Sequence, residues 1–279
     1  MILSYHPIFE GDENRVCAGR EPSSEDLEII RDADAVVLNQ GCYRSLYDMA
    51  RRNCRRVFPN YDAKFAYPGK SGQIRLFKKA GADYPETRLY KNTAEFEAVS
   101  RISPCRYPFA FPVVFKFDWG GEGETVYLLQ DEQDLIHLLA RAKRFESSGQ
   151  FGFLLQEKVD TPPRALRVVV VGQTVVSYWR VSDGKERFHS SLSKGGRIDR
   201  ESDPELQEAG VEATRAFCRK TGINLAGLDL LFSCKTDSPV PLFLEINYYF
   251  GRRGLGGSAP YYRLLISEIN RWLASIGLA

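Results

Sequence analysis

Two neighbouring apolar segments toward the end of the chain each contain one acidic residue. AGLDLLFS holds Asp229, PLFLEIN holds Glu245, and a polar stretch suited to a turn separates them. A tight antiparallel hairpin centred on Asp237 would place Asp229 directly opposite Glu245. Like charges in that position destabilise a sheet unless another group neutralises them. The pattern therefore predicts either a bound cation or a longer, bulged loop that turns Asp229 to solvent.

The faces of the second strand indicate which cation would fit. Side chains alternate along a strand, so Phe243, Glu245 and Asn247 are predicted to share one face, with Leu244 on the other. Asp229, Glu245 and Asn247 then offer three oxygen ligands. Such a set suits a hard divalent cation, Mg²⁺ or alternatively Mn²⁺.

A glycine-rich turn joins two further β-rich segments, residues 111–118 and 124–129. Its glycines, Gly120, Gly121 and Gly123, match neither a P-loop nor a dinucleotide-binding fingerprint, and they lead into a strand, not a helix. The backbone amides of this turn could fold over the phosphates of a nucleotide, or the turn could be a plain tight hairpin.

Lys116 lies in the apolar strand before this turn. Alternation places it on one face with Val114 and Asp118, and it places Phe115 and Phe117 on the other. A lysine in so apolar a strand faces either solvent or an anion. Nothing in the strand itself decides between the two.

Composition narrows the classes of function. The chain of 279 residues has 38 basic and 36 acidic side chains, a net charge of +2, so no long-range field attracts nucleic acid. No run approaches the roughly 18 apolar residues of a membrane span, and no basic leader opens the sequence. Six scattered cysteines without a CxxC pair are interpreted as reduced thiols. We expect a cytoplasmic protein without nucleic-acid or membrane partners, and the oligomeric state stays open.

The order of predicted elements divides the chain into three units. Alternating strands and helices in residues 1–68 predict a small parallel sheet. Residues 69–158 contain a helix over 70–80, the glycine hairpin, a helix over 131–145 and a final strand, which together form an α+β unit. Residues 159–279 contain two strand pairs and two helices. The predicted fold class is α/β with α+β subdomains.

These motifs, in their order, resemble the ATP-grasp superfamily, specifically its ribosomal-protein glutamate ligase-like (RimK-like) branch. The resemblance covers about residues 64–250 and is carried by Lys70 with Pro85 fifteen residues later, VVFKFDWGGEGETV, LLQEKV, LSKGG, GLDLL and LEIN. It implies an ATP-grasp fold, with ATP clamped between two α+β units behind a small N-terminal parallel-sheet domain.

The resemblance also implies roles for individual residues. The implied nucleotide-binding residues are Lys70, Lys116, Gly120, Gly121, Gly123, Gln156, Glu157, Lys158 and Val159. The implied catalytic residues are Arg167, Arg180 and Lys194, and the last two are similar to basic residues that approach the γ-phosphate. Asp229, Glu245 and Asn247 correspond to Mg²⁺ ligands, in agreement with the hairpin argument.

Three departures from the family pattern affect substrate recognition. Ala165 stands where the family often has an acidic residue two before Arg167, and Ser191 stands where an asparagine is usual. After the metal strand the chain reads YYFGRRGLGGSAPYY instead of a short proline–glycine turn. Arg252 and Arg253 in this segment either grip a substrate carboxylate or lie in a surface loop.

The expected activity is an ATP- and Mg²⁺-dependent carboxylate–amine (or carboxylate–thiol) ligase that forms an acyl phosphate. Its partners would be ATP and a small-molecule or peptide carboxylate and amine, such as an amino acid, a peptide or a protein tail. Two alternatives stay open: a nucleotide-binding regulatory module without ligase activity, and an ATP-dependent kinase of a small molecule.

Overall fold

The computed structural model describes residues 1–102, 107–121, 123–182, 196–235 and 239–278. The strands are β1 (Ile2–Ser4), β2 (Glu13–Asn14), β3 (Ala35–Val37), β4 (Val57–Phe58), β5 (Thr87–Tyr90), β6 (Val113–Phe117), β7 (Val126–Leu129), β8 (Phe153–Glu157), β9 (Arg164–Val171), β10 (Thr174–Val181), β11 (Arg197–Asp199), β12 (Leu225–Leu231) and β13 (Leu242–Asn247). The helices are α1 (Ser24–Asp32), α2 (Arg44–Asn53), α3 (Asp62–Ala66), α4 (Gly69–Ala80), α5 (Thr93–Ile102), α6 (Glu132–Ser147), α7 (Pro204–Thr221) and α8 (Ser258–Ser275), and a 3₁₀ turn covers Arg253–Leu255.

The N-terminal sheet is small and parallel, as the alternation of strands and helices predicts. Its strand order is β2-β1-β3-β4, and each neighbouring pair is parallel. A capping box begins α1, in which Ser23 and Asp26 each accept a backbone hydrogen bond from the other residue. Leu3 of β1 and the three residues of β3 are fully buried, which fixes the sheet against its helices.

The central sheet is antiparallel, with strand order β5-β8-β6-β7. Alternation along β6 is confirmed, since Phe115 and Phe117 lie in an aromatic core beneath α5 and α6. Val114 and Lys116 point to the opposite face. Asp131 begins α6 as its N-cap, with its side chain accepting a hydrogen bond from the backbone N–H of Asp134 at 3.0 Å.

The third sheet has five antiparallel strands in the order β11-β10-β9-β12-β13, with helices on both faces. Val168 and Val170 of β9 pack toward α7, whereas Val169 and Val171 pack toward α8. Helix α8 also contacts the N-terminal sheet, where the rings of Trp272 and Phe58 lie 5.5 Å apart.

Helix α4 opens the predicted central unit in sequence, yet its buried side chains pack on the third sheet. Ile74 and Phe77 belong to the core cluster of that sheet, and the ring of Phe77 lies 5.7 Å from Phe217 and 5.6 Å from Phe243. The helix ends at Ala80, as predicted, and Gly81 caps it in the left-handed conformation. This helix is therefore part of the core of the third sheet, although it precedes the central sheet in sequence.

The register of β12 and β13 places Asp229 opposite Glu245, as predicted, although the hairpin centre at Asp237 lies outside the described residues. A bulge follows immediately, because Leu230 pairs with Phe243 and leaves Leu244 as the extra residue. The predicted shared face is therefore wrong for Phe243, which is 2% exposed in the core.

Five cysteines among the described residues are free thiols, most of them buried. Every helix in those residues is also too short or too polar to cross a lipid bilayer.

Candidate active site

A cavity of about 490 Å³ lies between the central sheet and the third sheet. Alternate side chains of facing strands form its walls, among them Val114 and Lys116 of β6 and Asp229 and Leu231 of β12. The same alternation that builds the two cores therefore also presents polar groups to the space between the sheets.

One part of the cavity is suited to a flat heterocycle. Apolar side chains from both sheets line it, including Leu154 and Leu231, next to the segment from Gln156 to Val159, which contains the last two residues of β8. Gln156 is 2% exposed, and its Nε2 donates a hydrogen bond to the Thr87 hydroxyl at 2.8 Å.

Lys116 is buried in this cavity without a hydrogen bond or ion pair from any described residue. It is 8% exposed, and burial lowers the pKa of its ammonium to about 8, although the charge of Glu245 opposes that change. A buried ammonium without a partner is unfavourable, so the position indicates an anionic ligand.

Two arginines surround Asp229 and offset its charge. Arg167 lies opposite Asp229 in the β9–β12 register, and its Nε and Nη2 donate to the two carboxylate oxygens at 2.5 and 2.8 Å. Arg180 Nη1 adds a contact at 3.1 Å. Burial alone would raise the pKa of Asp229, but the two guanidinium groups outweigh burial and lower it.

Glu245 faces Asp229 but makes no hydrogen bond or ion pair with a described residue. Burial, and then the charge of Asp229, raises the pKa of Glu245, and Lys116 opposes this rise. Asn247 Nδ2 donates to Asp229 at 3.2 Å, which leaves its amide oxygen available.

This donor set fits a hard divalent cation. Strand β13 supplies the unpartnered carboxylate of Glu245 and the amide oxygen of Asn247, and the adjacent strand β12 supplies the carboxylate of Asp229. All three are oxygen ligands of the type that Mg²⁺ takes. Among the described residues, no cluster of three or more His, Cys, Asp or Glu side chains could hold a metal, so the amide of Asn247 is needed to complete the set.

The glycine turn closes over one side of the cavity. Gly120 and Gly123 both have φ of +80°, a conformation that favours glycine. The ammonium of Lys70 donates to the carbonyls of Trp119 and Gly120 at 2.9 and 3.1 Å and to the Thr125 hydroxyl at 3.2 Å. The turn is thus bonded to the first turn of α4.

The segment after β13 lies at the cavity and is not a remote surface loop. Arg252 and Arg253 both line the cavity, and neither forms an ion pair within the described residues. The Arg252 guanidinium lies 5.1 and 4.3 Å from the ring centroids of Tyr261 and Tyr262. Gly254 lies so close to Tyr178 that a Cβ would fall 1.9 Å from the ring.

The structure brings most of the predicted site residues to this one cavity. Lining it are Lys70, Lys116, Gly123, Gln156, Glu157, Lys158, Val159, Arg167, Arg180, Asp229, Glu245, Asn247, Arg252 and Arg253. Gly120 and Gly121 lie in the same turn but do not line the cavity. Lys194, with Ser191 beside it, lies outside the described residues.

Sequence reasoning missed two supporting residues of the site. Tyr178 lines the cavity, and it shares a strand face with Arg180, so alternation along β10 could have identified it. The Gln73 side chain bonds both the N–H and the carbonyl of Ile246, at 2.8 and 2.9 Å, and so fixes β13 between Glu245 and Asn247. No sequence signal indicates this contact, because it joins a helix to a distant strand.

Comparison with known proteins identifies a matching family model and several similar proteins. A family model described as a RimK-like ATP-grasp domain matches residues 69–257. A probable alpha-L-glutamate ligase from Picosynechococcus sp. is 30% identical over 229 residues, which cover 80% of this chain and 70% of that protein. A RimK domain ATP-grasp protein from Sphaerobacter thermophilus has a TM-score of 0.63 at 15% identity, covering 96% of this chain and 98% of that one. An L-amino acid ligase from Bacillus licheniformis has a TM-score of 0.55 at 14% identity, covering 87% and 57%.

Proposed function

Because the chain belongs to the RimK-like ATP-grasp family, we propose that it is an ATP- and Mg²⁺-dependent ligase that joins a carboxylate to an amine. The supporting observation is the pair of opposite charges in one cavity, a buried Lys116 and a half-buried Glu245, neither of which has a hydrogen bond from a described residue. Each is unfavourable alone. Nucleotide phosphates would neutralise the first charge, and the accompanying cation the second.

The nucleotide would lie along the cavity with its base in the apolar part, next to residues 156–159. Its phosphates would then reach Lys70 and Lys116, under the glycine turn. Arg180 supports this orientation of the nucleotide, because its Nε is buried and has no hydrogen-bond partner among the described residues, which leaves a donor available for a phosphoryl oxygen.

Glu245 and Asn247, together with Asp229, would hold the Mg²⁺ ion. When bound, such an ion supplies positive charge that offsets the negative charge of the phosphate oxygens, so that they repel an approaching anionic nucleophile less. Asp229 already orients Arg167 and Arg180, so the same carboxylate would serve both the arginines and the metal site.

The chemistry needs two nucleophilic displacement steps, one at phosphorus and one at carbon, and no protein nucleophile. A carboxylate oxygen attacks the γ-phosphorus, the bond to the bridging oxygen of ADP breaks, and an acyl phosphate forms. The amine nitrogen then attacks the acyl carbon, inorganic phosphate leaves with the electron pair of the broken C–O bond, and the nitrogen loses a proton. Arg167 and Arg180 would neutralise charge on the transferred phosphoryl group, and the closed glycine turn would exclude water.

Arg252 and Arg253 would bind a carboxylate of the acid or amine substrate. A planar guanidinium that is already stacked on two tyrosine rings is well oriented for bidentate binding of a carboxylate. One relative is named a probable alpha-L-glutamate ligase and a structural neighbour an L-amino acid ligase, so amino acids, with glutamate first, are the substrates to test.

Trapping with hydroxylamine tests the proposal without knowledge of the natural amine. The protein would be incubated with MgATP, L-glutamate or short glutamyl peptides, and hydroxylamine, and both ADP and hydroxamate would be measured. We expect equal amounts of the two products from the wild type and from Glu212→Gln on the exposed face of α7, and neither product from Glu245→Gln.

The other outcomes separate the alternative functions. ADP with a stable phosphorylated product and no hydroxamate would indicate a small-molecule kinase. MgADP binding without turnover of any acid would indicate a regulatory module. Full activity of Glu245→Gln would contradict the metal site.

A further inference from the structure

We propose that Asp118 is a positioning residue that holds Lys70 and the glycine turn together as one unit, set for phosphate binding. This inference rests on the nucleotide site proposed above. Asp118 does not itself line the cavity. Its effect on a nucleotide would therefore pass through Lys70 and the turn.

The first turn of α4 takes its cap from a distant residue. Pro68 precedes the helix and provides no side-chain hydrogen bond. Instead Ser71 N–H donates to Asp118 Oδ1 at 2.6 Å, and Lys70 N–H donates to the Asp118 carbonyl at 3.3 Å. These bonds satisfy two of the N–H groups that a helix start leaves without partners, and the helix dipole favours a carboxylate there.

Two glycines provide the space that this contact needs. Gly69 has φ of +70°, and a Cβ there would lie 2.8 Å from Asp118 Oδ1. Gly152 has φ of +92°, a Cβ there would lie 3.2 Å from the Asp118 Cβ, and its carbonyl accepts a hydrogen bond from Asp118 N–H at 3.1 Å. Side chains at either position would displace Asp118.

The residues directly after Asp118 hold the other end of Lys70. The Lys70 ammonium donates to the carbonyls of Trp119 and Gly120, and the Thr125 hydroxyl, which accepts from the same ammonium, donates to the Trp119 carbonyl at 2.7 Å. Residues 118–120 therefore bond both the backbone nitrogen and the side-chain nitrogen of one lysine.

This arrangement joins the two walls of the cavity. Helix α4 is packed in the core of the third sheet through Phe77, whereas Asp118 and the turn extend from β6 of the central sheet. Phosphates that approach Lys70 must compete with carbonyl oxygens for its ammonium. Asp118 would keep the backbone of Lys70 in place while the ammonium changes partners.

Isothermal titration of MgADP tests the proposal with a matched control. Asp118→Ala removes the distant cap, Asp118→Asn keeps an oxygen that can accept from Ser71, and Asp131→Ala removes the same type of cap from α6, outside the cavity. We expect Kd to rise at least about tenfold in Asp118→Ala and to stay within about threefold of wild type in Asp118→Asn. Asp131→Ala should lower Tm and leave Kd unchanged.

A double variant tests the route of the effect. Because Asp118 acts through Lys70, adding Asp118→Ala to Lys70→Ala should weaken MgADP binding by less than about twofold beyond Lys70→Ala alone. A full additional tenfold loss would overturn the proposal, as would wild-type affinity in the single variant Asp118→Ala. If Asp118→Ala does not fold, Gly152→Ala replaces it, because a methyl group at Gly152 would displace Asp118. Weaker MgADP binding by that variant would support the proposal, and wild-type affinity would overturn it.

These outcomes are distinct from failure of the proposed function. A wild-type protein without affinity for MgADP would refute the nucleotide site itself. Equal affinity of the wild type and Asp118→Ala for MgADP would refute only the role of Asp118.

Discussion

Replacing Lys116 with methionine should stabilise the ligand-free protein and abolish nucleotide binding at the proposed site. Burial lowers the pKa of Lys116 from its ordinary 10.5 to about 8, even with the charge of Glu245 opposing the change. Since a factor of ten in proton affinity is worth about 1.4 kcal/mol, the charged form costs the folded state about 3 kcal/mol. Methionine fills a similar volume without a charge, so Lys116→Met removes that cost.

The same cost gives the stability of the wild type a specific pH dependence. Below about pH 8, Lys116 is charged in both the folded and the unfolded states, and the full penalty applies. Between about pH 8 and 10.5 the folded protein releases this proton while the unfolded chain still holds it, so the penalty decreases. The advantage of Lys116→Met over wild type should therefore fall from about 3 kcal/mol near pH 7 toward zero near pH 10.5.

Urea unfolding with and without MgADP measures both effects. Nucleotide at about 100 times its Kd should add about 2.7 kcal/mol to the wild type and nothing to Lys116→Met. Lys143→Met, on the exposed surface of α6, is the control and should show neither the gain in stability nor the loss of MgADP stabilisation. Equal or lower stability of ligand-free Lys116→Met near pH 7 would refute the reasoning, as would a retained response to MgADP.

Three further substitutions test other parts of the cavity. Asp229→Asn leaves Arg167 without its carboxylate, and we expect a loss of about 3 kcal/mol in urea unfolding because breaking a buried ion pair strands a charge. Gly254→Ala drives a methyl group into the ring of Tyr178, and it should cost about 1–3 kcal/mol and raise the KM for the acid or amine more than that for ATP. Arg252→Ala should raise the KM for the carboxylate-bearing substrate at least about tenfold while calorimetry shows unchanged MgADP affinity; a parallel loss of MgADP affinity would contradict its placement at the substrate.

The features predicted well from the sequence depend on neighbours along the chain. Alternation along β6 separates Lys116 from Phe115, and both positions are confirmed. The pairing of Asp229 with Glu245 is confirmed because a short connection restricts the hairpin register. The ATP-grasp fold and the RimK-like family, predicted from ordered motifs, are also confirmed.

The features missed depend on contacts between distant segments. Strands β5 and β11 have four and three residues, too few to show alternation, and they form only because a neighbouring strand offers hydrogen-bond partners. The bulge at Leu244 reverses the face of Phe243 and leaves no trace in the sequence. Likewise, the sequence argument for a cation at Asp229 did not include Arg167, because the register between β9 and β12 is not local.

Net charge is the clearest example of a property that the fold redistributes. The whole chain carries +2, and this value indicates no charged partner. Among the described residues, however, eight basic and three acidic side chains line the cavity, a net of +5, so the rest of the molecule is negative on balance. A concave site of low dielectric focuses this field. MgATP and a carboxylate substrate are both anions, and their affinities should therefore fall as ionic strength rises, although the average composition of the chain predicts no such dependence.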